Sequence, residues 1–369
     1  MNRILQMKKS TRSSLFTYGL VIGAYLIIQL LRSFREGGVG SVLEGQLVPI
    51  CAYVTMALAL NLVVGVSGEL SLGHAGFMSI GAFAGCSVAA ALQNSVEMEP
   101  LRLALAMVLG GVIAGIFGFL IGVPVLRLNG DYLAIVTLAF GEIIRDIINC
   151  LLVGWDENGL HIALNIDGTK SIASLGLSEN GVEIIKGAQG ASGNTRIATF
   201  TMGFVLVMIT LIVVLNLVRS RTGRAVMAIR DNRIAAESVG ISVTKYKMTA
   251  FVVSAALAGA AGTLYGCGQI TFVATKFDFN TSILILVFVV LGGLGNMWGS
   301  VIAATALTIL PEALRQFADY RMLVYAIVLI LVMLATNNPT LRGFFTRLFR
   351  REKEDGPAVH AVKGGGSHE

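Results

Sequence analysis

An all-α protein that crosses a membrane many times is the fold class this sequence predicts. Three observations predict it. Of the 369 residues, 55% are hydrophobic and only 14% are charged, whereas a soluble domain averages roughly a quarter charged. The mean hydropathy of +0.76 is beyond what a water-facing surface carries. The apolar residues also gather into long runs, many close to the roughly 20 residues that a membrane-spanning helix needs. The 43 glycines fit the same class, because glycine lets membrane helices approach closely.

On that length criterion about ten transmembrane helices follow one another. They are Leu15–Leu31, Gln46–Val66, Ala75–Leu92, Leu101–Ile121, Asp131–Val153, Ile197–Val218, Met248–Ile270, Ser282–Leu294, Gly299–Phe317 and Met322–Thr336. The third, eighth and last are short or interrupted by glycine. Arg3, Lys8, Lys9 and Arg12 precede the first run as in a signal peptide. No small-residue cleavage site follows, and the chain continues LLRSFREG, so the run reads as a retained first span.

Basic residues collect at cytoplasmic ends of membrane proteins. Residues 1–14 therefore read as a cytoplasmic N-terminus and 15–338 as the transmembrane domain. Alternation then places the loop 154–196 outside, with Asp156, Glu157, Asp167, Glu179 and Glu183 among its charges, and the basic loop 219–247 inside. Residues 339–369 form a polar cytoplasmic tail, read as disordered, in which His360 and His368 are incidental. The outer loop is glycine-rich and could hold short strands or a hairpin, as a surface cap or as a platform for an external partner.

The net charge of +6 follows from this topology and does not indicate nucleic-acid binding. Cys51, Cys86, Cys150 and Cys267 are scattered through apolar runs without a CxxC spacing. They read as packing residues, with no metal site. No GxxxxGK[ST] phosphate loop is present, since DGTKS at Asp167–Ser171 lacks the spacing. The chain is therefore not read as an enzyme or as a binder of ATP or any other cofactor.

Four segments carry the functional expectations. In Asn61–Ala84, Gly65, Gly68, Glu69, Ser71, Gly73, His74, Gly76 and Ser79 interrupt or border two apolar runs. Non-helical backbone at membrane depth survives only where protein or a water-filled cavity covers it. The segment is thus either part of a translocation pathway or a tight cytoplasmic turn. A second break, with Gly292, Gly293, Gly295, Asn296 and Gly299, occupies a similar place in the other half. Paired breaks point to an internal repeat with re-entrant segments around a central pathway. Third, Glu142, Arg145 and Asp146 share one helical face within a span. They form either an internal ion pair or an intramembrane functional group. Asn129 and Asp131 beside Gly130 suit the cap of that helix. Fourth, Arg219–Lys247 holds seven basic residues against Asp231 and Glu237. Asn232 is a good N-cap and Gly240 a good helix stop, so RIAAESV between them predicts a helix of about two turns. That helix either lies on anionic lipid or is presented to a cytoplasmic partner.

NLVVGVSGELSLGHAGFMSIGAF, GDYLAIVTLAFGEIIR, RTGRAVMAIRDNRIAAESVGI and VLGGLGNMWGSVIAA, in this order, resemble the permease subunits of branched-chain amino-acid ABC importers. The resemblance runs from about Gln46 to Asn338. It implies a type II-like ABC importer permease fold in a bacterial cytoplasmic membrane. The implied partners are a homologous permease subunit, two cytoplasmic ATP-binding subunits that use ATP and Mg²⁺, and an extracytoplasmic amino-acid-binding protein. It also carries the role of the ATPase-coupling helix onto Arg230, Asp231, Asn232, Ala235, Ala236, Glu237 and Gly240. The loop Asp156–Arg196 departs from the pattern by its length, which bears on substrate choice and binding-protein contacts. A urea or amide permease of the same family, an ion-coupled secondary transporter and a channel are the alternatives.

Overall fold

The computed structural model describes residues 9–34, 41–93, 95–128, 131–156, 159–165, 182–192, 195–313, 326–327 and 330. The chain divides into two units, Met1–Arg315 and Gln316–Glu369. In the second unit only Ala326, Ile327 and Ile330 are described, all helical. Most of the predicted span Met322–Thr336 and all of the tail therefore lie outside the described residues.

The first unit is a helix bundle. Its helices are α1 (Lys9–Phe34), α2 (Ser41–Asn61), α3 (His74–Ala91), α4 (Glu99–Val125), α5 (Asp131–Asn149), α6 (Phe200–Arg219), α7 (Arg221–Asp231), α8 (Arg233–Ser238), α9 (Val243–Cys267), α10 (Phe279–Gly292) and α11 (Met297–Ala313). α2 runs on into one π-helical turn, Leu62–Ser67. Among the described residues, six helical stretches are long and apolar enough to cross a membrane: Gly45–Ser67, His74–Ala91, Glu99–Val125, Phe200–Arg219, Val243–Cys267 and Ala274–Gly292. Shorter apolar stretches occupy Thr17–Leu30 and Met297–Glu312. The apolar segments of the sequence up to Phe317 thus fall largely on helices.

The core lies where α3, α4 and α9 pack on one another. Small residues set the spacing. A Cβ on Gly81 would stand 2.0 Å from the carbonyl oxygen of Gly259, and a Cβ on Gly259 would stand 2.3 Å from the Cβ of Ala114. At this range the Thr263 hydroxyl of α9 donates to the Gly81 carbonyl of α3 at 2.8 Å. The outward face of α4 is apolar: Leu101, Val108, Val112, Ile116 and Leu120 are all exposed. Such a face is stable only against lipid or another apolar surface.

Three expectations are refined. The helical bundle is supplemented by strands, because the outer loop, which could hold a hairpin, joins a five-stranded antiparallel sheet. Its strands are β1 (Leu151–Asp156), β2 (Gly159–Leu164), β3 (Val182–Lys186), β4 (Ala191–Ser192) and β5 (Thr271–Phe272), in the order β2-β1-β3-β4-β5. β5 comes from the chain beyond α9, so the sheet ties the loop to the end of that helix. Secondly, the span read as Asp131–Val153 stops as a helix at Asn149. Leu151–Val153 pair instead with Leu164, Ala163 and Ile162. Buried strand and buried helix look alike in so short an apolar run. Thirdly, the segment Ala75–Leu92, read as short or broken by glycine, is the continuous 18-residue helix α3. Its glycines meet neighbouring helices rather than break the backbone. The scattered cysteines are also partly gathered, since Cys86 Sγ of α3 lies 3.7 Å from Cys267 Sγ of α9.

α9 has 25 residues, so it spans ~37 Å at about 1.5 Å per residue. The sheet sits at its C-terminal end. Both glycine-rich breaks and the helices α7 and α8 sit at the other.

Candidate functional site

The basic island folds as two short helices. Ser220 caps α7, its Oγ accepting from Gly223 N at 3.2 Å. Asn232 ends α7 and caps α8, its Oδ1 accepting from Ala235 N at 3.0 Å. Gly240 takes φ +83°. There the chain closes α8, with Ile241 N donating to Ala236 O at 3.1 Å. Ile229, Ala236 and Val243 form a small buried cluster with Ile241 and Tyr246 against it. This anchors α8 through one side chain, Ala236, and leaves the rest of the helix in the open.

The Asn232–Gly240 helix predicted from its caps is therefore present. The sequence reading missed which residues it displays. Ile234 and Val239 are 80% and 74% exposed. Two apolar side chains this open, flanking exposed Ala235 and Glu237, make a surface that suits a protein partner. Their signal was available, since they are aliphatic residues inside an otherwise basic and polar stretch. Arg233 Nε meets Glu237 Oε1 at 3.2 Å on the same surface.

Removing the cap with Asn232→Ala is expected to cost about 1 kcal/mol. A Cβ on Gly240 meets nothing within 4 Å, so Gly240→Ala is penalised only by its left-handed backbone, about 1–2 kcal/mol. Hydrogen exchange across 233–239 should accelerate about fivefold or more in either variant. Unchanged exchange would mean that the tertiary anchor at Ala236 alone holds the helix.

The first break lies beside this pair of helices. The π-helical turn ends at Gly68, which takes φ +74° and donates to Val63 O. Arg230, the penultimate residue of α7, reaches into it, with Nη1 donating to Gly65 O at 2.9 Å. Its stem covers Gly68, where a Cβ would stand 2.6 Å from Arg230 Cγ. Asp231 Oδ1 accepts from Arg230 Nε at 3.2 Å and Nη2 at 3.1 Å, which orients the guanidinium. Glu69 forms an ion pair with Lys247 of α9. Leu72 N donates to Thr137 Oγ1 of α5 at 3.1 Å, and Gly73 and Gly76 pack on Thr137 and Gly141.

His74 is buried at the start of α3 with both ring nitrogens engaged. Ser254 Oγ donates to Ala59 O at 2.6 Å. Its single proton is thereby used, so it accepts from His74 Nε2–H at 2.8 Å. Nδ1 lies 3.0 Å from Ser71 Oγ. The imidazole, protonated on Nε2, ties α3 to α9. Ser79 is fully buried and its hydroxyl has no partner among the described residues. In this conformation Gly65, Ser71, Gly73, His74, Gly76 and Ser79 are all held within helix contacts.

The second break is the turn between α10 and α11. Gly293 and Gly295 take φ +92° and +77°. Asn296 N closes the turn on Gly293 O at 2.9 Å. Gly292 and Gly299 touch so closely that a Cβ on Gly299 would stand 1.9 Å from Gly292 O. The two breaks meet through Asn61, the last residue of α2. Asn61 Oδ1 accepts from Gly295 N at 2.8 Å, and Asn61 Nδ2 donates to Ser300 Oγ at 2.8 Å. Paired breaks expected in the two halves of the sequence are thus in direct contact.

Glu142, Arg145 and Asp146 lie together on α5. Arg145 is paired with Glu142 and, at 3.0 Å, with Asp146. The ion-pair reading of this trio is the one the geometry fits. Among the described residues no three His, Cys, Asp or Glu side chains gather as a metal site. An anchored helix pair with an exposed apolar surface is hydrogen-bonded to the first irregular backbone segment, which meets the second through Asn61.

Comparison with known proteins bears on this directly. Residues 42–333 match a family described as the permease component of branched-chain amino acid transport systems. The chain is 37% identical over 286 residues to the high-affinity branched-chain amino acid transport system permease protein LivM of Salmonella typhimurium, covering 76% of this chain and 66% of LivM. It is 36% identical over 296 residues to LivM of Escherichia coli, with the same coverage. The chain thus spans 66% of the length of these two relatives. It is also 27% identical over 293 residues to the permease protein LivH of Salmonella typhimurium, covering 76% of this chain and 88% of LivH. No solved structure matches the chain.

Proposed function

This chain belongs to the branched-chain amino acid transport permease family, and from that premise we propose that it is the membrane subunit of an ATP-driven importer of branched-chain amino acids. It forms the pathway with a homologous permease subunit. Its similarity to both LivM and LivH supports pairing with a second, LivH-like permease. Two cytoplasmic ATPase subunits bind ATP and Mg²⁺ and drive it; the chain itself catalyses nothing. A binding protein on the outer side delivers the amino acid against the sheet end of the bundle. The membrane is a bacterial cytoplasmic membrane, the chain crosses it about ten times in a type II-like arrangement, and both termini are cytoplasmic. Lys/Arg placement supports that orientation.

The single observation that carries this reading is the exposed apolar pair on α8. Ile234 and Val239 have no core to cover them. A groove on an ATPase subunit fits them as a helix-in-groove contact.

The test is Ile234→Glu combined with Val239→Glu. Both side chains are surface-exposed, so membrane insertion should stay at the wild-type level. ATPase subunits should no longer copurify, and leucine uptake should drop at least tenfold. A double variant that keeps its ATPase subunits and its uptake would remove α8 from the coupling role.

A further inference from the structure

We propose that Arg230 and Asn61 are positioning residues that carry movement of α7 and α8 through the π-helical turn to the turn between α10 and α11. This inference rests on the reading of the chain as an ATP-driven permease and names the route by which that drive reaches the bundle. The coupling helices and the second break are joined through only a few groups. Arg230 Nη1 holds Gly65 O at 2.9 Å. Gly65 in turn lies on Asn61 and Gly295 so tightly that a Cβ there would stand 1.9 Å from Asn61 Oδ1 and 2.2 Å from Gly295 N. Asn61, fully buried, binds Gly295 N and Ser300 Oγ, each at 2.8 Å.

The chemistry of each link accounts for its residue type. Carbonyls at the end of a helix lack an intrahelical partner. Val63 O takes both Gly68 N and Glu69 N, the latter at 3.1 Å. Glu69 N would have been the α-helical partner of Gly65 O. That carbonyl is left for a side-chain donor, and a guanidinium at a helix C-terminus is favoured by charge as well. Asn61 is suited to its link because one amide offers an acceptor to a backbone N–H and a donor to a hydroxyl. Gly65 is required because any side chain would separate the two.

The π-helical turn is the element able to switch. It holds a residue more than an α-turn needs, and π turns concentrate at functional sites. Relocating that residue along the helix rotates the residues it passes by about 100°, the angle per residue of an α-helix. Arg230 holds the turn as it stands through Gly65 O. A pull on α7 that withdraws the guanidinium frees Gly65, and the Asn61–Gly295 contact moves with it. Arg230 is thereby a link directed into the bundle, in contrast to Ile234 and Val239, which are directed out of it.

The experiment uses the whole transporter, purified with its ATPase subunits in proteoliposomes, with leucine as the probe. It reads leucine carried per ATP hydrolysed. Arg230→Met keeps the stem over Gly68 and removes the donors. It should lower the ratio at least tenfold, and Arg230→Lys, which retains a donor, should recover at least half of the wild-type ratio. Asn61→Ala should lower the ratio at least fivefold. A merely structural role would lower transport and hydrolysis together and leave the ratio in place. An unchanged ratio in Arg230→Met or Asn61→Ala overturns the relay. Loss of the ATPase subunits from the Arg230→Met complex also overturns it, making Arg230 a docking residue. A wild-type chain that carries leucine with no ATPase subunit attached sinks the importer reading itself, a failure visible before any variant is made.

Discussion

Gly262→Leu is expected to lower the melting temperature and the folded yield of the bundle. A Cβ at Gly262 of α9 would stand 1.9 Å from Met78 O, 2.8 Å from Met78 C and 2.9 Å from Ala82 N. All three are backbone atoms of α3, so no side-chain rotation relieves the clash, and the helices must separate. Overpacking a core costs about 1–3 kcal/mol and sometimes more. Here the upper end applies, because the separation also pulls the Thr263 hydroxyl from Gly81 O, now at 2.8 Å. That is a large share of the about 5–15 kcal/mol by which a protein is stable. The check is the monodisperse yield and melting temperature of the detergent-solubilised chain. Gly45→Ala is the control, since a Cβ at Gly45 meets nothing within 4 Å, and it should melt like the wild type. A Gly262→Leu chain of normal yield and melting temperature would show that α3 and α9 are not in contact at this distance.

Lys247→Met is the second large effect. Lys247 and Glu69 pair with side chains only 11% and 12% exposed. Removing the lysine strands a carboxylate away from water, and breaking such a pair costs about 3–5 kcal/mol. The double change Glu69→Gln with Lys247→Met should recover most of this, because a buried pair adds little over a neutral replacement. Thermal melts of the four proteins in the cycle decide it. If Lys247→Met alone melts like the wild type, the carboxylate reaches solvent and the strap between the first break and α9 is not structural.

These two sites show where sequence reasoning runs out. Glu69 reads in the sequence as a residue comfortable at a membrane interface, and nothing local points to Lys247, 178 positions away. Gly262 is one small residue among many in α9, and its role depends on which face meets Met78. By contrast, the apolar runs, the Asn232 cap and the Gly240 stop all express interactions within a few residues. The helices they predicted up to α11 are present. The start of β1 was missed for an intermediate reason. Leu151–Val153 is apolar like the helix before it, and only its pairing with Leu164, Ala163 and Ile162 decides its conformation.

The same division holds for the candidate site. That two glycine-rich breaks matter could be read from glycines interrupting apolar runs, because backbone in lipid demands a cover. That they touch through Asn61 could not be read, because the contact joins residues 234 positions apart. The helix α8 could be placed by its caps, but caps do not say which side chains turn outward. Ala236 turned out to be the anchor and Ile234 and Val239 the display, once Ile229 and Val243 closed over one side of α8.

By itself, then, the sequence determined what local forces determine: the membrane character, the position of most helices, the α8 caps and the family. Hydropathy, capping and backbone preference act within a turn or two, so they survive without a fold. Only the tertiary structure decided that Arg230 turns into the bundle, that Lys247 finds Glu69, and that β5 closes a sheet with the outer loop. Each of these depends on the packing of distant helices, which close-fitting glycine contacts set and which no short stretch of sequence specifies.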